Sequence, residues 1–239
     1  MREKVTGHLY LIPVPIDQNA KESILLENHR KIVERLDYFI VENEKTARFH
    51  LSALNLQKPI NQLHFEVLDK STIEAEITNY LRPLLEGFDI GLISESGCPA
   101  VADPGSKMVA LAHQKNIKVI PMIGPSSIIL ALMASGLNGQ QFKFHGYLPS
   151  EKEDRIKKII LIENDSSKNH ETQIFIETPY RNQHIFNDLI SKLQDRTKLC
   201  VALDMSSENE FILTKNIKDW KKEKTPDLKN KPCVFLIQC

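Results

Sequence analysis

Short apolar runs alternate along the first half of the chain with stretches in which apolar residues recur every three or four positions. The runs are HLYLIPVPI, YFIVEN, LHFEVLD, DIGLISES and IKVIPMIG. Each is compact, rich in branched or aromatic residues and bounded by turn formers, which predicts buried strands. Between them, AKESILLENHRKIVERLD sets Ile24, Leu25, Ile32, Val33 and Leu36 at helical spacing. TARFHLSALNL, STIEAEITNYLRPLLEG and DPGSKMVALAHQKN predict further helices, the second with a capping-box start at Ser71 and Glu74. Alternation of strand and helix predicts a mostly parallel five-stranded sheet with helices on its faces.

The pattern changes after residue 123. GPSSIILALMASG predicts an apolar helix closed by Gly136. QFKFHGYLP, TQIFIET, KLCVALDM, NEFILTKNI and KPCVFLIQ predict strands, and SEKEDRIKKIILIEN and NQHIFNDLISKLQ predict helices. The last strands follow one another with only a lysine-rich helix or loop between them, so antiparallel pairing and a mixed sheet are expected. The fold class is α/β in two α/β domains, residues 1–123 and 124–239, with the boundary near residues 122–125.

Composition narrows the function. The 239 residues balance 31 Lys+Arg against 31 Asp+Glu. The halves differ little: residues 1–123 carry 14 basic and 16 acidic residues, residues 124–239 carry 17 and 15. Charge by itself does not announce nucleic acid. Cys98, Cys200, Cys233 and Cys239 form no Cys-x-x-Cys pair, which suits free thiols in a reducing compartment. No run reaches the ~18 apolar residues of a membrane helix. The expectation is a cytoplasmic protein with no membrane contact.

Ligands of open α/β sheets bind at the carboxyl ends of strands. Four loops fall there: PVPIDQN, SESGCPAVADPG, MIGPSS and ETPYR. Asp103-Pro104-Gly105 reads as a helix cap, or as the close of a ligand loop whose small residues let a ligand approach the backbone. Gly124-Pro125-Ser126-Ser127 reads as a capped linker, or as a helix start whose amides and hydroxyls meet a ligand. No G-x-G-x-x-G, P-loop or G-x-S-x-G motif is present, and the eight histidines form no H-x-x-x-H pair, so no metal is expected. The segment KDWKKEKTPDLKNK mixes six lysines with acids and reads as a solvated face or a weak phosphate patch.

Taken together and in order, these loops resemble the tetrapyrrole methylase superfamily, and within it most the 16S ribosomal RNA cytidine ribose 2′-O-methyltransferase family. LYLIPVPI, SESGCPAVADPG, IPMIGPSSIILALMASGL, FKFHGYLPSEKEDR and IFIETPYR carry the likeness, which covers nearly the whole chain. It implies a tetrapyrrole methylase fold with a cofactor cleft between the two domains, S-adenosylmethionine as cofactor, and a homodimer. It also implies cofactor contacts from Pro13, Ser94, Glu95, Val101, Ala102, Ser126, Ser127, Glu177, Tyr180, Leu203 and Pro232. The implied partner is ribosomal RNA or the small ribosomal subunit.

The chain departs from the family pattern at Asp17-Gln18-Asn19, in place of Gly-Asn-Leu, and at Glu42-Asn43-Glu44-Lys45, in place of Glu-Asp-Thr-Arg. It also departs at Glu95 and Cys98. A ribose acceptor calls for a general base. Glu42, at the carboxyl end of the second strand, is the candidate; a charge pair with Lys45 or Arg48 is its plainer role. Arg181 would bind a substrate phosphate or pair with Glu177. A tetrapyrrole precursor or other small molecule as acceptor, and a cofactor-binding module without turnover, remain the alternatives.

Overall fold

The computed structural model describes residues 6–17 and 27–239. Ile24 and Leu25 of the predicted second element, and Gln18 and Asn19, lie outside the described residues. The chain divides into two units, Met1–Ser126 and Ser127–Cys239.

The first unit holds strands β1 (Leu9–Ile12), β2 (Tyr38–Val41), β3 (His64–Val67), β4 (Ile90–Ile93) and β5 (Val119–Pro121). They form one sheet in the order β3-β2-β4-β1-β5, every pair parallel. Both faces are covered, which is why the central strands are apolar throughout rather than alternating. Leu9, Ile40, Ile90 and Leu92 pack on one face against Ile77 of α3 (Glu74–Tyr80), Leu84 of α4 (Arg82–Leu85) and Met108 and Ala112 of α5 (Gly105–Gln114). Ile12, Phe39, Val41 and Ile93 pack on the other against Val33 of α1 (Glu27–Val33) and Ala47 and Leu51 of α2 (Glu44–Ala53).

Two helix starts differ from expectation. The capping box predicted at Ser71 and Glu74 does not form. Ser71 instead donates to Asp69, and the helix begins at Glu74, where the Glu76 carboxylate accepts the Ile73 N–H at 3.1 Å. Asp69, two residues before Ser71, gathers the Ser71 N–H and hydroxyl and the Thr72 N–H on one carboxylate oxygen, which leaves the Ser71 hydroxyl turned away from the helix. The long predicted helix over residues 71–87 is broken at Leu81, because Pro83 lacks an N–H and starts a second short helix.

The second unit holds β6 (Phe142–Tyr147), β7 (Thr172–Ile176), β8 (Lys198–Leu203), β9 (Phe211–Asn216) and β10 (Cys233–Gln238), in the order β6-β7-β10-β8-β9. Only β6 and β7 are parallel; β10 runs antiparallel between β7 and β8, and β8 and β9 form an antiparallel pair. The sheet is mixed, as the closely spaced strands imply. Phe175, Val201 and Phe235 pack with α7 (Lys152–Asn169), α8 (Asn182–Lys192) and α9 (Ile217–Trp220). Trp220 seals that layer: its ring meets Phe186 edge-on at 5.5 Å and its Nε1–H donates to Leu199 O at 2.9 Å. The opposite face carries α6 (Ser127–Ser135), whose Ile128, Ala131 and Leu132 lie on Ile174, Ala202 and Val234. Gly136 follows α6 at φ +67°, a left-handed stop that an L-residue adopts only with strain.

Candidate functional site

The order β3-β2-β4-β1-β5 makes β2 and β4 neighbours while their following loops lead in opposite directions, to β3 on one side and to β5 on the other. A crevice opens at the carboxyl ends of such a pair. Glu42 is the first residue after β2, and Ser94 and Glu95 follow β4. Glu42, Ser94, Pro99, Asp103 and Gly105 line the crevice. The Glu95 N–H points at Glu42 Oε2, 3.5 Å away. Burial raises the Glu42 pKa above the usual carboxylate value; the Glu95 N–H opposes the rise, and the nearby Glu95 and Asp103 carboxylates add to it. The ion pair with Arg48 does not form: Arg48 bonds Glu44 and lies 4.4 Å over the Phe65 ring.

Three loops of the first unit close on one another at this rim. Val14 N–H donates to Gly97 O at 3.0 Å, and the Ser96 hydroxyl donates to Ile16 O at 3.1 Å, joining the loops after β1 and β4. The Cys98 thiol donates to Pro125 O at 3.1 Å, joining the loops after β4 and β5. Burial raises the Cys98 pKa, so the thiol stays a neutral donor. Gly124 lies against Pro13 so closely that a Cβ there would sit 2.1 Å from the Pro13 Cβ. Gly124→Ala must therefore displace one of the two loops. It is expected to destabilise the first unit by roughly 1–3 kcal/mol, the usual cost of overpacking, as read by thermal melting.

Asp103 does more than cap. Its carboxylate accepts the Ala100 N–H at 2.9 and 3.0 Å and the Gly105 N–H at 2.7 Å, and α5 begins only at Gly105. This grip folds residues 100–103 into a tight turn with Ala100 and Ala102 at φ +67° and +65°. Non-glycine residues held there store strain that the surrounding bonds must offset. The turn leaves Val101 and Ala102 exposed. Among the residues that sequence reasoning missed is His50, buried on α2, whose Nε2 lies 3.4 Å from Glu95 O. Burial lowers its pKa and keeps the ring neutral. The spacing of Ala47, His50 and Leu51 on one inward helical stripe is its only sequence signal.

In the second unit, Glu177, Leu203 and Pro232 share one end of the sheet, because β10 starts beside the ends of β7 and β8. Asp204 N–H donates to Pro232 O, Asn230 N–H to Pro179 O, and the Asn182 amide to Lys231 O, so the three loops are tied together. Glu177 is buried. Its Oε1 accepts the Thr178 N–H at 2.7 Å, and its Oε2 faces Arg181 Nη2 at 3.3 Å without a hydrogen bond of its own. Arg181 also donates to Pro149 O and Ser150 O, each at 3.2 Å. Tyr180 beside it is exposed, and Ser127 opens α6. Among the described residues, no group of three His, Cys, Asp or Glu side chains could hold a metal ion, and no helix is long and apolar enough to cross a membrane.

No family model matches the chain. Individual relatives do. The chain is 28% identical over 204 residues to ribosomal RNA small subunit methyltransferase I of Vibrio cholerae, covering 85% of this chain and 67% of that protein. It is 30% identical over 207 residues to the protein of the same name from Halalkalibacterium halodurans, covering 86% and 67%. Among solved structures, the methyltransferase CobJ superposes with a TM-score of 0.65 at 14% identity, over 98% of this chain and 94% of that one, a likeness of fold. With this sequence identity carried along the same two-sheet architecture, the chain belongs to the ribosomal RNA small subunit methyltransferase I family and is an S-adenosylmethionine-dependent methyltransferase.

Proposed function

We propose that the protein methylates a ribose 2′-hydroxyl of small-subunit ribosomal RNA, in the cytoplasm and as a homodimer. Bound S-adenosylmethionine supplies an electrophilic methyl group on a sulfonium. The rim of the first unit fits that cation: the Glu95 and Asp103 carboxylates lie there beside Glu42, and the small-residue turn leaves backbone within reach. Pro13, Ser94, Glu95, Val101, Ala102 and Ser126 of the first unit, and Ser127, Glu177, Tyr180, Leu203 and Pro232 of the second, are the proposed contacts. Of these, Val101 and Tyr180 offer exposed surface.

Glu42 is the observation that carries the acceptor assignment. A half-buried carboxylate with a raised pKa, placed at a switch point, is poised to accept the proton of a hydroxyl as its oxygen gains the methyl group. The remaining contribution is positioning, for which the ceiling is roughly 7–11 kcal/mol. We read Arg181 as a positioning residue, because Glu177 and the carbonyls of residues 149 and 150 occupy its guanidinium.

Incubation with methyl-labelled donor and small subunits from a strain lacking the gene tests the proposal. Label in one ribose of the small-subunit RNA is expected, with RNA affinity falling steeply as salt rises. Label that enters a tetrapyrrole precursor and not RNA would overturn the acceptor while leaving the donor in place.

A further inference from the structure

A second cavity lies at the opposite end of the first sheet. It has a volume of about 320 Å³ and is bordered by the amino ends of β2, β3 and β4 and by α3 and α4. Its lining takes in Tyr38, Phe39 and Ile40 of β2, whereas Glu42 follows the carboxyl end of that strand and does not line it. Small-molecule sites run from roughly 300 to 1,000 Å³, so it suits a group of a few heavy atoms rather than a nucleotide.

Its walls are aromatic and acidic. Tyr38 stacks on His64 with ring centroids 5.0 Å apart, and Phe88 continues the row 5.5 Å beyond Tyr38. Tyr80 lines the cavity and donates its hydroxyl to Val67 O at 3.0 Å. Three charged side chains line it: Glu66, Arg82 and Glu86. Arg82 Nε bonds Glu86 Oε1 at 3.0 Å, which neutralises both. No cation among the described residues pairs with Glu66. Glu66 therefore leaves one net negative charge among the charged side chains that line the cavity. The Tyr80 phenol registers it: burial raises its pKa first, and Glu66, Glu76 and Asp69 raise it further. Aromatic rings beside a free carboxylate attract organic cations through the ring quadrupole and the charge together. A phosphate would meet Glu66 and an arginine already engaged.

We propose that this cavity binds an alkylammonium or guanidinium group, carried by a free polyamine or by a basic side chain of a polypeptide. The site is separate from the methyl-transfer rim and does not depend on the proposed acceptor.

The test uses the full chain, isotope-labelled, with spermidine and with acetyl-Gly-Arg-Gly-amide as probes in separate titrations followed by NMR. Either probe is expected to shift the resonances of Tyr38, His64 and Tyr80 in a saturable way. Spermidine alone would assign the polyamine source, the arginine peptide alone the polypeptide source, and both the shared chemistry. Glu66→Gln is expected to weaken binding about tenfold or more while leaving resonances of the second unit in place. Tyr80→Phe, which keeps the ring, is expected to retain binding. Absence of shifts with both probes overturns the proposal. So does equal affinity in Glu66→Gln, or equal binding of the neutral citrulline peptide. None of these readouts involves methyl transfer, so a failure here stands apart from a failure of the ribose assignment.

Discussion

Glu42→Gln is expected to lower kcat by about 10²–10⁴-fold, the usual yield of a general base, with the S-adenosylmethionine titration unchanged. At 1.36 kcal/mol per tenfold, that is roughly 3–5 kcal/mol of transition-state stabilisation. The substitution keeps the shape at the end of β2 and removes only the proton acceptor. The sign of the pH dependence follows from the environment. Burial raises the Glu42 pKa in the folded protein, so the carboxylate is protonated, and inactive as a base, up to a higher pH than an ordinary glutamate. The acid limb of the wild-type pH–rate profile is therefore shifted upward from that of an ordinary glutamate, and the variant lacks that limb. Stability moves the other way. A group with a raised folded pKa contributes stability that is full below its unfolded pKa and is lost as pH rises through the folded one. At neutral pH the ionised Glu42 is thus a burden, and Glu42→Gln is expected to melt no lower than wild type. A variant that keeps its rate to within tenfold, or that loses donor binding along with rate, would show that Glu42 is not the base.

The sequence pattern carries the fold because burial dictates it. YFIV and IGLI are apolar without alternation because β2 and β4 are central strands covered on both faces. Proline and small residues mark the rim loops because those loops approach one another's backbones, as Gly124 approaches Pro13. What spacing misses are choices among competing partners. Ser71 has the right distance to Glu74 for a capping box, yet Asp69 holds it. The left-handed Ala100 and Ala102 carry no mark in their own residue type, since the neighbouring Asp103 imposes the turn through its carboxylate. His50 reaches Glu95 across 45 residues of sequence, and only the folded sheet brings them together. Arg181 shows the same limit. Its place after a strand end suits a phosphate contact, but the carbonyls of Pro149 and Ser150 lie within its reach.

Asp188→Ala is expected to cost the second unit about 3–5 kcal/mol, the penalty for stranding one member of a buried ion pair. Arg155 Nε bonds Asp188 Oδ2 at 2.8 Å, and the two side chains are only 8% and 11% exposed. The pair joins α7 to α8, and Arg155 Nη1 goes on to donate to Ser150 O at 2.6 Å. Arg181 donates to that same carbonyl, so the pair anchors the loop after β6 on which the Glu177–Arg181 turn rests. With Asp188 gone, the guanidinium keeps its charge and loses its carboxylate in a layer lined by Ile159, Ile185 and Leu189. A melting temperature lower by roughly 6–20 °C follows for a chain of this length. A second change separates the pair's own worth from the cost of stranding its partner. Arg155→Met in the Asp188→Ala background removes the orphaned charge and fills its volume with an apolar side chain, and it is expected to recover most of the loss. Catalysis need not recover with it, because Ser150 O then lacks one of its two donors. A double variant less stable than Asp188→Ala would mean that Arg155 stabilises the loop through Ser150 more than through Asp188.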